Sequence, residues 1–211
     1  MKTANVIRMI ILLLIITGCA VGNKHIYHNV NADISMQGTI TVAVATHDQR
    51  VYVQNGNKPS DFVGLQRGGF GNPFDITTVS GNALAQDFTE TIARSLASKG
   101  FQTTPVSVNY SDTADRVKTV LMNTGAHRLL VLTLYEWKSD TYTNTALIYD
   151  ASLEVLDENG KTVAQKSISG RDDLGGSALN PPAYAKKAVP AAFKEKIEIL
   201  LNDSDVSKAL E

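Results

Sequence analysis

The sequence predicts an α/β fold, with α+β as the alternative: a mixed β-sheet carrying packed helices in the order β-α-β-α-β-β-β-α. Three observations predict it. Gly38–Thr46 (GTITVAVAT) alternates with the period of a strand. Asn82–Lys99 sets Leu84, Phe88, Ile92 and Leu96 at helical spacing. Thr145–Leu156 runs through Asp157-Glu158-Asn159-Gly160 into Thr162–Gly170, and its Asn-Gly pair marks a hairpin turn between antiparallel strands.

The elements follow in order. The first strand places Ile40, Val42 and Val44 on one face. The first helix carries Ala85 and Ala93 beside its apolar stripe and stops at Gly100. Phe101–Val108 is a strand that Pro105 assigns to an edge or shortens. Asp112–Thr124 is a helix capped by Ser111 or Asp112 and closed by Gly125. Arg128–Trp137 (RLLVLTLYEW) is apolar on both faces through Leu134, as a central strand covered on both sides requires. The hairpin then turns Leu147, Tyr149, Ala151, Leu153 and Val155 inward. In Ala183–Leu201, Val189, Phe193, Ile197 and Leu200 share a helix face, with Pro190 as a kink or a start, and 203–210 forms a last short turn. Leu84, Phe88, Ile92, Leu130, Leu132, Leu153 and Phe193 are expected to form one core.

Ahead of the domain, Lys2 and Arg8 precede an apolar run, Met9–Ile16, of the kind that begins an export signal and is too short to span a bilayer. It ends in Ile16-Thr17-Gly18-Cys19, and Cys19 is the only cysteine. This resembles the bacterial lipobox, whose cysteine takes a diacylglycerol and becomes the new N-terminus. The resemblance implies a signal peptide over 1–18, lipidation of Cys19 and, because Ala20 and Val21 lack the aspartate that retains such proteins at the inner membrane, the periplasmic face of an outer membrane. More than one acyl chain, palmitate included, anchors a protein stably where one does not. Residues 19–37 are read as the lipidated N-terminus and a polar tether reaching on the order of 20 Å as a flexible coil, and 38–211 as a single globular domain. His25 and His28 in the tether have an HxxH spacing but no third ligand, and are read as solvated.

Eighteen of the twenty basic residues and all twenty-one acidic ones follow Cys19, so the processed chain carries a net charge of −3 and no basic footprint for nucleic acid. With Cys19 consumed by lipid, no disulfide forms. The connection His47–Ser80 is long for a compact domain, which points to a functional or a disordered loop. Its glycines match neither GxxxxGK[ST] nor GxGxxG, so no nucleotide or other cofactor is expected. Arg67, Gly68, Gly69, Phe70 and Gly71 are instead the candidate partner-binding residues, because Phe62, Phe70 and Phe74 put three rings into a glycine-rich segment where disorder would deplete aromatics. Trp137 and Tyr142, flanking or within a second connection, Lys138–Asn144, are the other interface candidates, whereas Tyr135 and Tyr149 are assigned to the core. No GxSxG, no HExxH and no free nucleophilic cysteine occurs; His47, Asp48, His127, Asp172 and Asp173 assemble no site by spacing, so no enzyme and no metal site is predicted.

Taken together, the lipobox, TVAV followed by HDQR, VGLQRGGFGNP, SGNALAQDF, LLVLTLYEW and LLNDSDV resemble the bacterial lipoprotein family named for YajG. The resemblance covers nearly all of the processed chain. It implies an outer-membrane lipoprotein held to the membrane through the lipid on Cys19, in a family without an established activity; a binding or assembly module in the cell envelope, contacting an envelope protein, is the leading expectation. An envelope hydrolase or a structural tether is the alternative. The strand-helix order is also similar to the amino-terminal domain of TolB and to auxiliary lipoproteins of envelope transporters, an analogy of fold alone.

Overall fold

The structure, a computed structural model, describes residues 23–211; residues 1–18, expected to be a signal peptide, and Cys19 lie outside the described residues. Eight strands form one mixed sheet: β1 (Lys24–His25), β2 (Thr41–Asp48), β3 (Phe62–Arg67), β4 (Pro73–Thr78), β5 (Gln102–Pro105), β6 (Arg128–Thr141), β7 (Asn144–Asp157) and β8 (Thr162–Gly176). The helices are α1 (Val51–Gln54), α2 (Leu84–Ala97), α3 (Ala114–Met122), α4 (Pro181–Leu201) and α5 (Ser204–Leu210).

The organising strand is β6. One of its edges takes β7 antiparallel along nearly its whole length, and β8 continues beyond β7. Its other edge is shared end to end: β2 runs parallel to Arg128–Leu134, and β3 runs parallel to Ser139–Thr141. Beyond β2 lies β5, parallel; beyond β3 lie β4, antiparallel, and then β1. The sheet is therefore parallel around β2 and a meander at β6–β8, as the sequence predicts.

Strand alternation sorts the two faces. Val42, Val44, Leu130, Leu132 and Leu134 point to one side, where α2, α4 and α5 cover them; Ala43, Ala45, Leu129 and Val131 point to the other, under Val117 and Leu121 of α3. All seven residues expected in the core are buried in the first cluster. Its centre is aromatic: Phe88 meets Phe193 at 4.6 Å and Trp137 at 4.9 Å, both edge to face, a geometry worth roughly 0.5–1.5 kcal/mol per pair beyond the area buried. Asn180 caps α4 by accepting from the Ala183 amide, and the helix opens on Pro181-Pro182 with Pro190 inside it, so the start lies before the predicted Ala183.

Three expectations about chain segments fail here. Residues 23–37 are not a free tether: Tyr27, Ala32, Ile34 and Met36 are buried in the main core, and the backbone amides of Asp33 and Ser35 donate to Glu198 (2.7 Å) and Asn202 (2.8 Å) of the C-terminal region. His25, expected to be solvated, is 2% exposed within β1. Nor is 47–80 a loop, because α1 and the β3–β4 hairpin occupy it. This insertion is locked by a buried ion pair, in which Arg50 Nη2 lies 2.7 Å from Asp48 Oδ2 and the guanidinium also donates to the carbonyls of Phe62, Ser60 and Trp137. Burial alone would lower the Arg50 pKa, but the hydrogen bonds and charge of Asp48 outweigh it and hold the guanidinium above its ordinary value. Gly64 is what lets β3 approach β6, since a Cβ there would run into the Ser139 side chain and backbone.

No helix among the described residues is long and apolar enough to cross a membrane.

Candidate functional site

The residues singled out from sequence meet at one end of the sheet, where the tip of the β3–β4 hairpin lies beside the turn joining β6 to β7. Arg67 and Pro73 are the last paired positions of the hairpin. Between them the chain closes tightly, with Gly68 N–H donating to Asn72 O (2.9 Å), Gly71 N–H donating to Gly68 O (2.8 Å) and Gly71 at φ +81°, a conformation that favours glycine. Because β3 runs parallel to β6 with Leu65 opposite Asp140, the Arg67 guanidinium reaches that carboxylate in a two-point contact, Nε–Oδ1 2.8 Å and Nη2–Oδ2 2.7 Å. Hydrogen bonding to Asp140, reinforced by its charge, raises the Arg67 pKa.

Tyr142 lies in the β6–β7 turn, half exposed, and its hydroxyl donates to Gly69 O at 3.3 Å, joining the two tips. Phe70, at the summit of the hairpin, is 103% exposed, whereas Phe62 is buried and Phe74 half-buried. Beside these tips opens a cleft of about 470 Å³ lined by Arg67, Asp140, Tyr142, Asn144, Arg171 and Asp173. Asn144 Nδ2 donates to Asp173 (3.2 Å), and Arg171 has no ion-pair partner among the described residues. The cleft thus balances two cations with two anions, and its chemistry is that of a polar rim beside an exposed aromatic ring.

Of the sequence-predicted residues, Arg67, Gly68, Gly69, Phe70, Gly71 and Tyr142 come together here; Trp137 does not. Trp137 is fully buried, packed edge to face on Phe88 and Phe193, with its indole N–H donating to the Tyr27 hydroxyl at 3.4 Å. The cause is a bulge between Leu134 and Glu136. Strict alternation from Leu130, Leu132 and Leu134 would turn Trp137 away from them, but the extra residue inverts the parity and brings it into the same core. Tyr135, assigned to the core from sequence, is half exposed at that bulge. The presumed connection Lys138–Asn144 is accordingly strand through Thr141, with only Tyr142 and Thr143 in the turn. Asp140, Asn144, Arg171 and Asp173 escape sequence reading, because only the register of β3 on β6 and of β7 on β8 makes them neighbours of Arg67 and Tyr142.

The polar residues considered for catalysis stay apart. His47 bonds to Gln49 (2.7 Å) at the end of β2, Asp48 is taken up by Arg50, and Asp172 on β8 pairs with Lys196 (2.7 Å). His25 and Ser139 do approach, Nε2 to Oγ 3.2 Å, but both are shielded from solvent, and burial followed by the charge of Lys186 lowers the His25 pKa to about 4. Among the described residues no three His, Cys, Asp or Glu side chains converge as metal ligands would.

No protein-family model matches the chain, and no curated protein matches it. Among solved structures it is similar to a protein of Xanthomonas campestris described under the family DUF330 (12% identity, 82% of this chain and 88% of that one, TM-score 0.42). Others are the lipoprotein GNA1162 of Neisseria meningitidis (16%, 75% and 99%, TM-score 0.38) and the C-terminal domain of LpoB from Escherichia coli (14%, 66% and 88%, TM-score 0.32). None of the three is named for YajG. Likeness of this degree carries no argument about activity or partner.

Proposed function

We propose that this chain is a lipid-anchored protein of the cell envelope, tethered through Cys19 to the periplasmic face of an outer membrane, that acts as a binding or assembly module by docking a protein on the β3–β4 tip. The observation that carries the docking surface is Phe70. A fully exposed ring on a turn pinned by two backbone hydrogen bonds, with the Tyr142 hydroxyl on its neighbour Gly69, is a rigid apolar anchor at low entropic cost. The Arg67–Asp140 pair and the mixed-charge cleft supply the polar rim that protein interfaces favour. The anchor is supported by the Ile16-Thr17-Gly18-Cys19 run.

Mass spectrometry of the membrane-extracted protein tests the anchor: a chain beginning at an acylated Cys19 is expected, and one retaining Met1 or carrying an unmodified Cys19 overturns it. A photo-crosslinking residue at position 70, compared with one at the exposed but remote Glu158, tests the surface in living cells. A discrete adduct from position 70 that is lost when Arg67→Ala and Tyr142→Ala are added supports docking; equal adducts from both positions abolish the claim.

A further inference from the structure

Because residues 23–37 are seated on the domain, little chain separates the fold from Cys19. Cys19 stands four residues ahead of Asn23, so at about 3.5 Å per residue the two Cα atoms lie within about 14 Å of each other. Register fixes where the chain enters the sheet. Lys24 pairs with Thr77, one step from Ile76; Ile76 pairs with Gly64, and Gly64 with Ser139. The entry is therefore level with Ser139, near one end of β6. At ~3.3 Å per residue Thr141 lies about 7 Å from that level along the strand, whereas Arg128, at the other end, lies about 36 Å from it. A bilayer that holds a lipid on Cys19 can meet the Thr141 end of the sheet, and the Arg128 end is out of its reach.

The Thr141 end carries groups that suit a membrane surface. Ser177 N–H donates to Thr143 O (3.1 Å) and fastens the loop between β8 and α4 to the β6–β7 turn, and the Asn180 amide donates to Ser177 Oγ (3.1 Å) across that loop. Leu179, between these two bonds, is 98% exposed. Here α4 begins, and it packs against β1. Its first two turns carry Lys186 and Lys187, both exposed, and the Lys186 charge is felt at His25, next to the exposed Lys24. None of the three lysines has an ion-pair partner among the described residues. At the same end Asp140 is taken up by Arg67 and Asp173 by Asn144, and on the neighbouring β4 Asp75 is taken up by Lys58. Unpaired positive charge thus surrounds the point where the anchored chain enters, with an aliphatic side chain at the same end.

We propose that the Thr141 end of the sheet rests on the bilayer that holds the anchor, with Leu179 entering its interfacial layer and Lys24, Lys186 and Lys187 over anionic lipid headgroups. One leucine and three lysines hold a membrane weakly on their own. The lipid on Cys19 keeps them at a high local concentration of headgroups, where weak contacts suffice. The inference rests on the Cys19 anchor proposed above and not on docking at Phe70; a protein docking there would be met beside the membrane.

The test uses the acylated full-length protein on vesicles of phosphatidylcholine and phosphatidylglycerol. With Cys19, the only cysteine, occupied by lipid, Leu179→Cys and Glu158→Cys each offer one free thiol for a nitrobenzoxadiazole probe. At 179 the probe is expected to be quenched by doxyl-labelled lipids and shielded from iodide; at 158, in the β7–β8 turn beyond the Arg128 end, the reverse is expected. Lys24→Gln, Lys186→Gln and Lys187→Gln together should reduce lipid quenching at 179 about threefold or more, as should ~0.5 M salt, with the probe at 158 unchanged. A chain that floats with the vesicles while iodide reaches 179 as freely as 158 overturns this inference alone, as does lipid quenching that is equal at the two positions or unchanged in the triple lysine variant. A chain that carries no acyl group and fails to float overturns the anchor and the inference with it.

Discussion

Removing the carboxylate of Asp48 isolates a charge that the fold has placed in its interior. Arg50 has no exposed surface, and its guanidinium makes five side-chain contacts: Nε–Asp48 Oδ1 2.8 Å, Nη2–Asp48 Oδ2 2.7 Å, and donations to the carbonyls of Phe62 (2.6 Å), Ser60 (3.1 Å) and Trp137 (3.3 Å). In Asp48→Ala the carbonyls remain but the counter-ion is gone, and an uncompensated buried charge costs about 3–5 kcal/mol. For a chain of this size each kcal/mol lowers Tm by roughly 2–4 °C, so a fall of roughly 6–20 °C is expected. The double substitution Asp48→Leu with Arg50→Met changes two side chains yet leaves no charge behind, and should cost less than Asp48→Ala alone, even with three carbonyls losing a donor at about 1 kcal/mol each. Urea unfolding at pH 7 measures both, and Trp137, the only tryptophan, reports by fluorescence from beside the pair. A loss below about 1 kcal/mol in Asp48→Ala, or a double variant less stable than the single one, would refute the reasoning.

Two buried groups set opposing pH dependences. Burial raises the Asp87 pKa from 3.8 to about 6, so its contribution is full below 3.8 and lost as pH rises through 6; His25, lowered from 6.5 to about 4, contributes above 6.5 and loses that as pH falls toward 4. Asp87→Asn should therefore gain about 2 kcal/mol at pH 7 and nothing at pH 3.5, and its stability should fall more steeply than the parent's between pH 6 and 4, as urea midpoints across pH will measure. At the aromatic centre Phe88→Ala should cost about 3–5 kcal/mol by the same assay, a loss under 1 kcal/mol contradicting the packing.

Periodicity carried the sheet and its long helices because β2, β6, β7, α2 and α4 are each long enough for burial to impose a pattern on many residues. The failures are local. Ala32, Ile34 and Met36 alternate with Asp33, Ser35 and Gln37, a period-two signal present in the sequence but hidden by the polar residues before it. The β3–β4 hairpin is short and rich in Gly and Pro, so composition argued against strands that exist because β6 offers them an edge. Trp137 failed for a different reason: one bulged residue inverts every side chain after it, and nothing in Leu134-Tyr135-Glu136 announces the insertion. The tip residues Arg67–Gly71 and Tyr142 were legible through composition, since glycines with an isolated phenylalanine mark a turn presenting a ring. Their neighbour Asp140 was not, since register alone supplies it.

The seating of residues 27–36 against the C-terminal helix has a consequence in time. Asp33 and Glu198 are 165 residues apart, so at about 5–20 residues per second the acceptor is made roughly eight to thirty seconds after the donor. Until then Tyr27, Ile34 and Met36 have no completed core to enter. Completion of α4 then closes the region, so a chain truncated before Pro181 would lose order over residues 27–36 as well.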